Sequence, residues 1–226
     1  MDSLSDVFGI VVLTLWVSGA ATALALGMGL PLGVALALGR FRGRRLLAAL
    51  VNTGMGLPPV VVGLAIALLL WRSGPLGGLG IIMMYTPAAM ILAQTLIAFP
   101  IVAGVSMAAV QQVDPMVGIQ ARALGATPLQ ALWAVVCEAR LPALAAIMAA
   151  FGSVISEVGA VLMVGGNIQG RTRVLTTAIV QETRMGHFGK AIALALILLA
   201  LSFAVNCLLT RIQQREPREM PFRCWR

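Results

Sequence analysis

The stretch VDPMVGIQARALGATPLQALWAVVCEARLP, residues 113–142, interrupts a chain otherwise built from long apolar runs. Its punctuation is dense. Asp114 is a capping residue, and Pro115 fits the first position of a helix. Gly125 suits the left-handed residue that closes one. Thr127 caps again, with Pro128 at the first position and Gln130 at the third, the pattern of a capping box. The stretch therefore reads as a short helix, a glycine break and a second helix that runs on into the next apolar segment. One reading is an ordinary helical hairpin between two spans. The other is a docking element: a short helix lying across one membrane face fits a groove in a partner and transmits the partner's motion.

The flanking sequence sets the class. Of the 226 residues, 60% are hydrophobic and 11% charged, and the mean hydropathy is +0.97. A soluble domain of this length cannot cover that much apolar surface. A spanning helix needs about 20 mostly apolar residues, and five runs have them, at roughly 8–38, 46–71, 87–111, 141–164 and 190–212. The expected fold is thus all-α, a polytopic membrane protein with about five spans in one domain over 1–226. A cytoplasmic loop at about 111–140 and a short basic tail at 213–226 complete it. Gly27, Gly29, Pro31 and Gly33 can bend or tilt the first run. Pro58, Pro59 and Pro100 fall inside the second and third, where neighbouring helices can satisfy the freed carbonyls. The many small residues suit close helix packing in lipid.

Charge gives the orientation. RFRGRR (residues 40–45) follows the first span and TRIQQREPREMPFRCWR (residues 210–226) the last. Placing both in the cytoplasm puts the N-terminus outside, because five is odd. Of the 16 basic residues, 11 then lie inside and 5 outside, in accord with the positive-inside rule. The net charge of +8 is therefore a topology signal, and no nucleic-acid partner is expected. The start MDSLSDVF carries two acids and no basic residue, so the first run reads as a retained helix, not a cleaved signal. Cys137, Cys207 and Cys224 have neither paired spacing nor a histidine nearby, which argues against a zinc site or a disulfide. The tail is too short to fold as a regulatory domain. No internal repeat of the kind found in most inverted-repeat carriers stands out.

On the outer side, residues 157–179 read EVGAVLMVGGNIQGRTRVLTTAI. Glu157 lies in the outer half of the fourth span, flanked by Ser153 and Ser156. A carboxylate in hydrocarbon costs a few kcal/mol, so it faces the bundle interior or water. It is either a packing acid or a gate residue that braces its surroundings through an arginine or a backbone N–H. Like charge makes it a poor ligand for an anion. Gly165, Gly166 and Asn167 allow a tight turn with positive φ. Arg171 and Arg173 follow at the outer mouth, and their forks suit oxyanions and carboxylates. They attract a released anion, bind acidic residues of an extracytoplasmic protein, or anchor at the headgroups. Residues 174–184 can form a short outer helix in which Thr176 and Thr177 offer hydroxyls to an anion, or cap and pack. The lone His187 reads as a surface residue, and the twelve methionines as packing.

Residues 186–191, GHFGKA, have the wrong spacing for a P-loop and an alanine in place of its hydroxyl residue. No HExxH site and no nucleophile–base pair is found. The chain is expected to hydrolyse nothing itself and to bind no cofactor. Five helices rarely enclose a pathway alone, and a second copy about a two-fold axis would supply the other wall.

The segment ARALGATPLQALWAV (residues 121–135) resembles the cytoplasmic loop of binding-protein-dependent ABC importer permeases, with its EAA-x3-G pattern and downstream Leu-Pro. Ala121, Arg122, Leu124 and Gly125 match it, and Ala126 follows at once. The resemblance makes this loop a coupling helix seated in a cleft of an ATPase subunit. Two positions depart from the pattern. Ile119 stands at the usual Glu, which removes any salt bridge from that position. Leu141–Pro142 falls about one turn later, which implies a longer helix before the fourth span. Residues 156–191, with GLPPVVVGL (residues 56–64), YTPAAMILAQ (residues 85–94) and EARLP, resemble the permeases of tungstate-type ABC importers. That resemblance implies a type I importer core of two permeases, two ATPase subunits that carry the ATP, and one extracytoplasmic anion-binding protein. It implies import of tungstate, with molybdate or sulfate as alternatives. An ATP-independent channel or carrier, or a membrane scaffold without transport, are the rivals from other classes.

Overall fold

The computed structural model describes residues 4–80 and 83–215. The expectations for Asp2, Cys224 and the tail beyond residue 215 lie outside them. The described residues form ten α-helices and one 3-10 turn, Gly77–Leu79. Three helices are long and apolar enough to cross a membrane: α1 (Leu4–Leu38), α4 (Pro87–Gln111) and α10 (Phe188–Arg215).

The second expected span is not one helix. It is α2 (Arg44–Met55) and α3 (Pro59–Leu70), bent by 103° at the break. Pro58 and Pro59 explain it. Pro59 lacks the N–H that would continue the ladder and starts α3, while Pro58 is extended at φ −61° and ψ 123°. The fourth expected span is also broken. Helix α6 (Pro128–Glu138) leads into α7 (Arg140–Ile155), and a short α8 (Gly159–Gly165) follows after residues 156–158. The α6 and α7 axes differ by 58°. Counting each bent pair as one span gives five, the number expected, but the fourth then covers residues 128–155 where 141–164 was expected.

Helix α4 is the hub, packed against α1, α2, α3, α7 and α8. Thr86 starts it, its hydroxyl accepting from the Ala89 N–H at 3.4 Å with Pro87 at the first position. Small residues bring the backbones close. A Cβ on Gly33 of α1 would sit 2.7 Å from the Ala103 carbonyl oxygen of α4. Around this crossing, Ala25, Ala98, Val102, Ala150 and Val154 form one buried cluster, and Leu36, Val51, Ala103 and Met107 a second. A third, with Val17, Ile66, Met90, Val161 and Val174, joins α1, α3, α4 and α8. In lipid this close packing, not escape from water, holds the helices together. Helix α10 is the outer member. Its Leu196, Leu199 and Phe203 are exposed, as suits a lipid-facing surface.

Candidate functional site

Two separate regions carry the residues singled out from the sequence. The first is the loop between α4 and α7. Asp114 caps α5 (Pro115–Ala123), its Oδ1 accepting from the Met116 N–H at 2.8 Å. Gly125 is left-handed at φ 92°. Around it the Gly125 N–H donates to the Arg122 carbonyl and the Ala126 N–H to the Ala121 carbonyl, both at 3.0 Å. This is the bonding that closes a helix C-terminus through a left-handed residue. The capping box of α6 is complete: Thr127 Oγ1 accepts from the Gln130 N–H at 3.4 Å, and Gln130 Oε1 from the Thr127 N–H at 2.8 Å. Both ends of the break are thus pinned by local bonds. Ala121 is buried against the rest of the loop, while Arg122 is exposed. Met116, Ile119 and Leu124 present apolar surface, Leu124 being 79% exposed. These three side chains leave apolar surface uncovered within the chain.

The second region is the turn between α8 and α9 (Leu175–Arg184), together with the break that precedes α8. Helix α7 ends where Ser156 donates to the Gly152 carbonyl at 2.8 Å; Ser153, half-buried, lies one turn earlier. Glu157 Oε1 accepts from the Ala160 N–H at 2.9 Å. The carboxylate therefore sits at the start of α8, where orphan N–H groups favour negative charge. The structure shows no ion pair between Glu157 and Arg171 or Arg173, so its bracing partner is backbone. The Thr176 hydroxyl donates to the Glu157 carbonyl at 3.0 Å and ties α9 to the break. Thr177 is buried, accepts from the Val174 N–H at 3.1 Å and donates to the Val174 carbonyl at 3.0 Å. Both threonine hydroxyls are thus engaged in fixing α9.

The turn itself runs through left-handed Gly166 and Asn167, at φ 69° and 52°. The Asn167 side-chain amide donates to Gln181 of α9. Thr172 is fully buried, donates to the Gly165 carbonyl at 2.6 Å and accepts from the Ile168 N–H at 3.0 Å. The backbone N–H groups of Arg171 and Arg173 both reach the Ile168 carbonyl at 3.1 Å. Thr172 is the pin, and the two arginines project either side of it. Arg171 is exposed. Arg173 is half-buried, and its Nε is buried without a partner. A buried, unpaired guanidinium N–H is costly and marks this side chain as the one in the turn with unused donor capacity. His187 is exposed, with its Nδ1 2.9 Å from a carboxylate oxygen of buried Glu182. Among the described residues no three His, Cys, Asp or Glu side chains converge as for a metal.

Sequence reasoning missed two residues. Thr172, between the arginines, carried no signal beyond being β-branched in a glycine-rich turn. Gln94 carried one: it is an amide inside an apolar helix. It is buried in α4, and its Nε2 donates to the Val154 carbonyl at 2.9 Å, one residue before α7 ends at Ile155. Its Oε1 is buried without a partner. Gln94 clamps a carbonyl beside the break and thereby couples the hub helix to Glu157.

Replacing Thr172 by valine keeps the shape and removes both bonds. The buried Gly165 carbonyl and the part-buried Ile168 N–H then lose their partner, at a cost of about 1–3 kcal/mol. The expected result is a clear fall in the thermal midpoint of the purified chain, and an unchanged midpoint would show that the turn is held elsewhere.

Known proteins resemble the chain over most of its length. A probable anion ABC transporter permease protein of Haloferax volcanii is 44% identical over 95% of this chain and 94% of its own length. A tungstate uptake system permease protein of Peptoclostridium acidaminophilum is 39% identical over 92% and 91%. Among solved structures, an inward-facing MetNI methionine ABC transporter matches with a TM-score of 0.75 at 22% identity, over 95% of this chain and 98% of that one, and so shares the fold. Residues 29–216 match the model of the binding-protein-dependent transport system inner membrane component, and the chain belongs to that family.

Proposed function

We propose that this chain is the membrane-spanning permease of an ATP-driven importer for an oxyanion of the tungstate class. The observation that carries the reading is the 115–138 segment: two capped helices about a left-handed glycine, with Met116, Ile119 and Leu124 exposed on a loop of a membrane protein. Such a segment transmits force only if something grips it. The chain has no P-loop of its own, so the grip belongs to an ATPase subunit, two of which serve two copies of this chain. The name of the 39% identical relative supports tungstate as the anion. ATP binding closes the ATPase pair, the α5–α6 elbow carries that motion into α7, and the cavity between the two copies switches from inward- to outward-facing. An extracytoplasmic binding protein delivers the anion to the open face. In this arrangement the N-terminus is outside, α5, the 40–45 arginines and the C-terminus are cytoplasmic, and α6 rises beside the inner end of α1.

The test is uptake into proteoliposomes holding the chain, its ATPase and its binding protein, with tungstate, molybdate and sulfate compared with and without ATP. ATP-dependent uptake that needs all three components, with tungstate preferred, is expected. Anion flux through the chain alone would sink the reading in favour of a channel or carrier. A preference for sulfate or molybdate would move the substrate assignment and leave the mechanism.

The outer arginines make a second prediction. Arg171→Glu with Arg173→Glu reverses the field at the outer mouth, and uptake should fall about tenfold at low ionic strength and less at high. Uptake that stays normal at every salt concentration would make the pair headgroup anchors.

A further inference from the structure

A cavity of about 1100 Å³ lies between the last turns of α1 and helix α6. Leu30, Val34 and Leu38 line it from α1, and Leu129, Trp133 and Val136 from α6. Gln130, also at its wall, has its amide oxygen committed to the capping box. The space is therefore hydrocarbon in character and offers little to an anion or to water. Its α1 wall runs from Leu30 to Gly39, about 14 Å at 1.5 Å per residue, close to the hydrocarbon depth of one leaflet.

The charge beside it is specific in kind. Gly39, which directly follows α1 in the wall, precedes Arg40, Phe41, Arg42, Gly43, Arg44 and Arg45. Arg44 folds back, donating to the Leu36 carbonyl at 2.5 Å and the Ala37 carbonyl at 3.2 Å, and so closes the end of α1. Arg40, Arg42 and Arg45 are exposed and have no partner among the described residues. An apolar slot one leaflet deep, ending at three unpaired guanidinium groups, matches a molecule with a long hydrocarbon part and a negative head. Arginine forks suit a phosphate, and basic groups at the membrane surface favour anionic lipids.

We propose that this cavity holds an acyl chain of an anionic phospholipid from the leaflet on the arginine side, with its phosphate paired to Arg40, Arg42 and Arg45. The bound lipid fills the space between α1 and the α6 arm of the elbow, so the elbow moves against lipid on that side. The site rests on the membrane placement of the chain and not on which anion is carried.

The experiment uses the full chain in nanodiscs of equal parts phosphatidylglycerol and phosphatidylcholine, extracted gently, with retained phospholipid measured by mass spectrometry. The native chain should retain phosphatidylglycerol at least fivefold over phosphatidylcholine. Arg40→Gln with Arg42→Gln and Arg45→Gln should bring that ratio to the bulk value, and Val34→Phe with Ala35→Phe should expel the retained lipid. A photo-crosslinking amino acid at Val34 in the otherwise native chain gives a readout that does not depend on those variants folding. It should label phosphatidylglycerol. A bulk ratio in the native chain, unchanged retention in the variants, or a crosslink to a second copy of the chain or to the ATPase would each overturn the proposal.

Discussion

Gly125→Pro is expected to abolish at least nine-tenths of ATP-driven uptake while the ATPase subunits of the assembled complex still hydrolyse ATP. Gly125 sits at φ 92°, and proline is held near −65°. The substitution also deletes the N–H that donates to the Arg122 carbonyl at 3.0 Å and displaces the neighbouring Ala126–Ala121 bond. The closure of α5 is lost, and with it the fixed angle between α5 and α6. Motion gripped at Met116, Ile119 and Leu124 then bends the elbow and does not reach α7. A Cβ at Gly125 meets nothing within 4 Å, so Gly125→Ala carries only the conformational cost of a left-handed alanine, about 1 kcal/mol. It should give intermediate coupling. The quantity to measure is anion imported per ATP hydrolysed. An unchanged ratio for the proline variant would remove the elbow from the mechanism.

The legible and illegible parts of this fold divide by where their causes lie. Asp114, Gly125, Thr127 and Gln130 act within four residues of themselves, and the loop they define is the one the sequence describes. Helix α4 likewise begins at the Thr86–Pro87 start signal and ends at Gln111, as its apolar run implies. The breaks inside the second and fourth spans are different. Apolar residues lie on both sides of residues 56–58 and of 156–158, although α2 is the more polar arm of its pair, so a long hydropathy window runs across each break. Pro58 and Pro59 were visible, but whether prolines bend a membrane helix or end it depends on the neighbours. The second break has no proline at all. Gln94, which is far away in the sequence, holds the Val154 carbonyl, and Thr176 holds the Glu157 carbonyl. The same long-range bonds decide the roles of the polar residues. Glu157, Thr176 and Thr177 read from the sequence as candidates for a pathway, yet each has a hydrogen-bonding group committed to backbone. Arg173 kept unused donors, which composition alone cannot show.

Gly63→Val is expected to cost the folded protein about 3 kcal/mol, at the upper end for overpacking. Gly63 of α3 faces Ala160 of α8 so closely that a Cβ would lie 2.6 Å from the Ala160 Cα and 3.0 Å from its Cβ. The first of these neighbours is backbone and cannot rotate away. One turn along, Gly159 stands against Val60, where a Cβ would meet Val60 Cγ2 at 2.6 Å. Two short half-helices are thus locked by small residues on both sides, which is how helices in lipid gain close contact. Pushing α3 off α8 moves Gly165 and Gly166 and, through Thr172, the turn that carries Arg171 and Arg173. The thermal midpoint should drop by about 6–12 °C, and outer-face anion delivery should suffer more than ATP hydrolysis. Ala160→Gly in the same chain removes the contact with the side chain but leaves the one with the backbone, so it should restore only part of the loss. Full rescue would show that the two helices can separate at little cost, and an unaltered midpoint for Gly63→Val would mean that α3 and α8 do not cross at this point in the membrane.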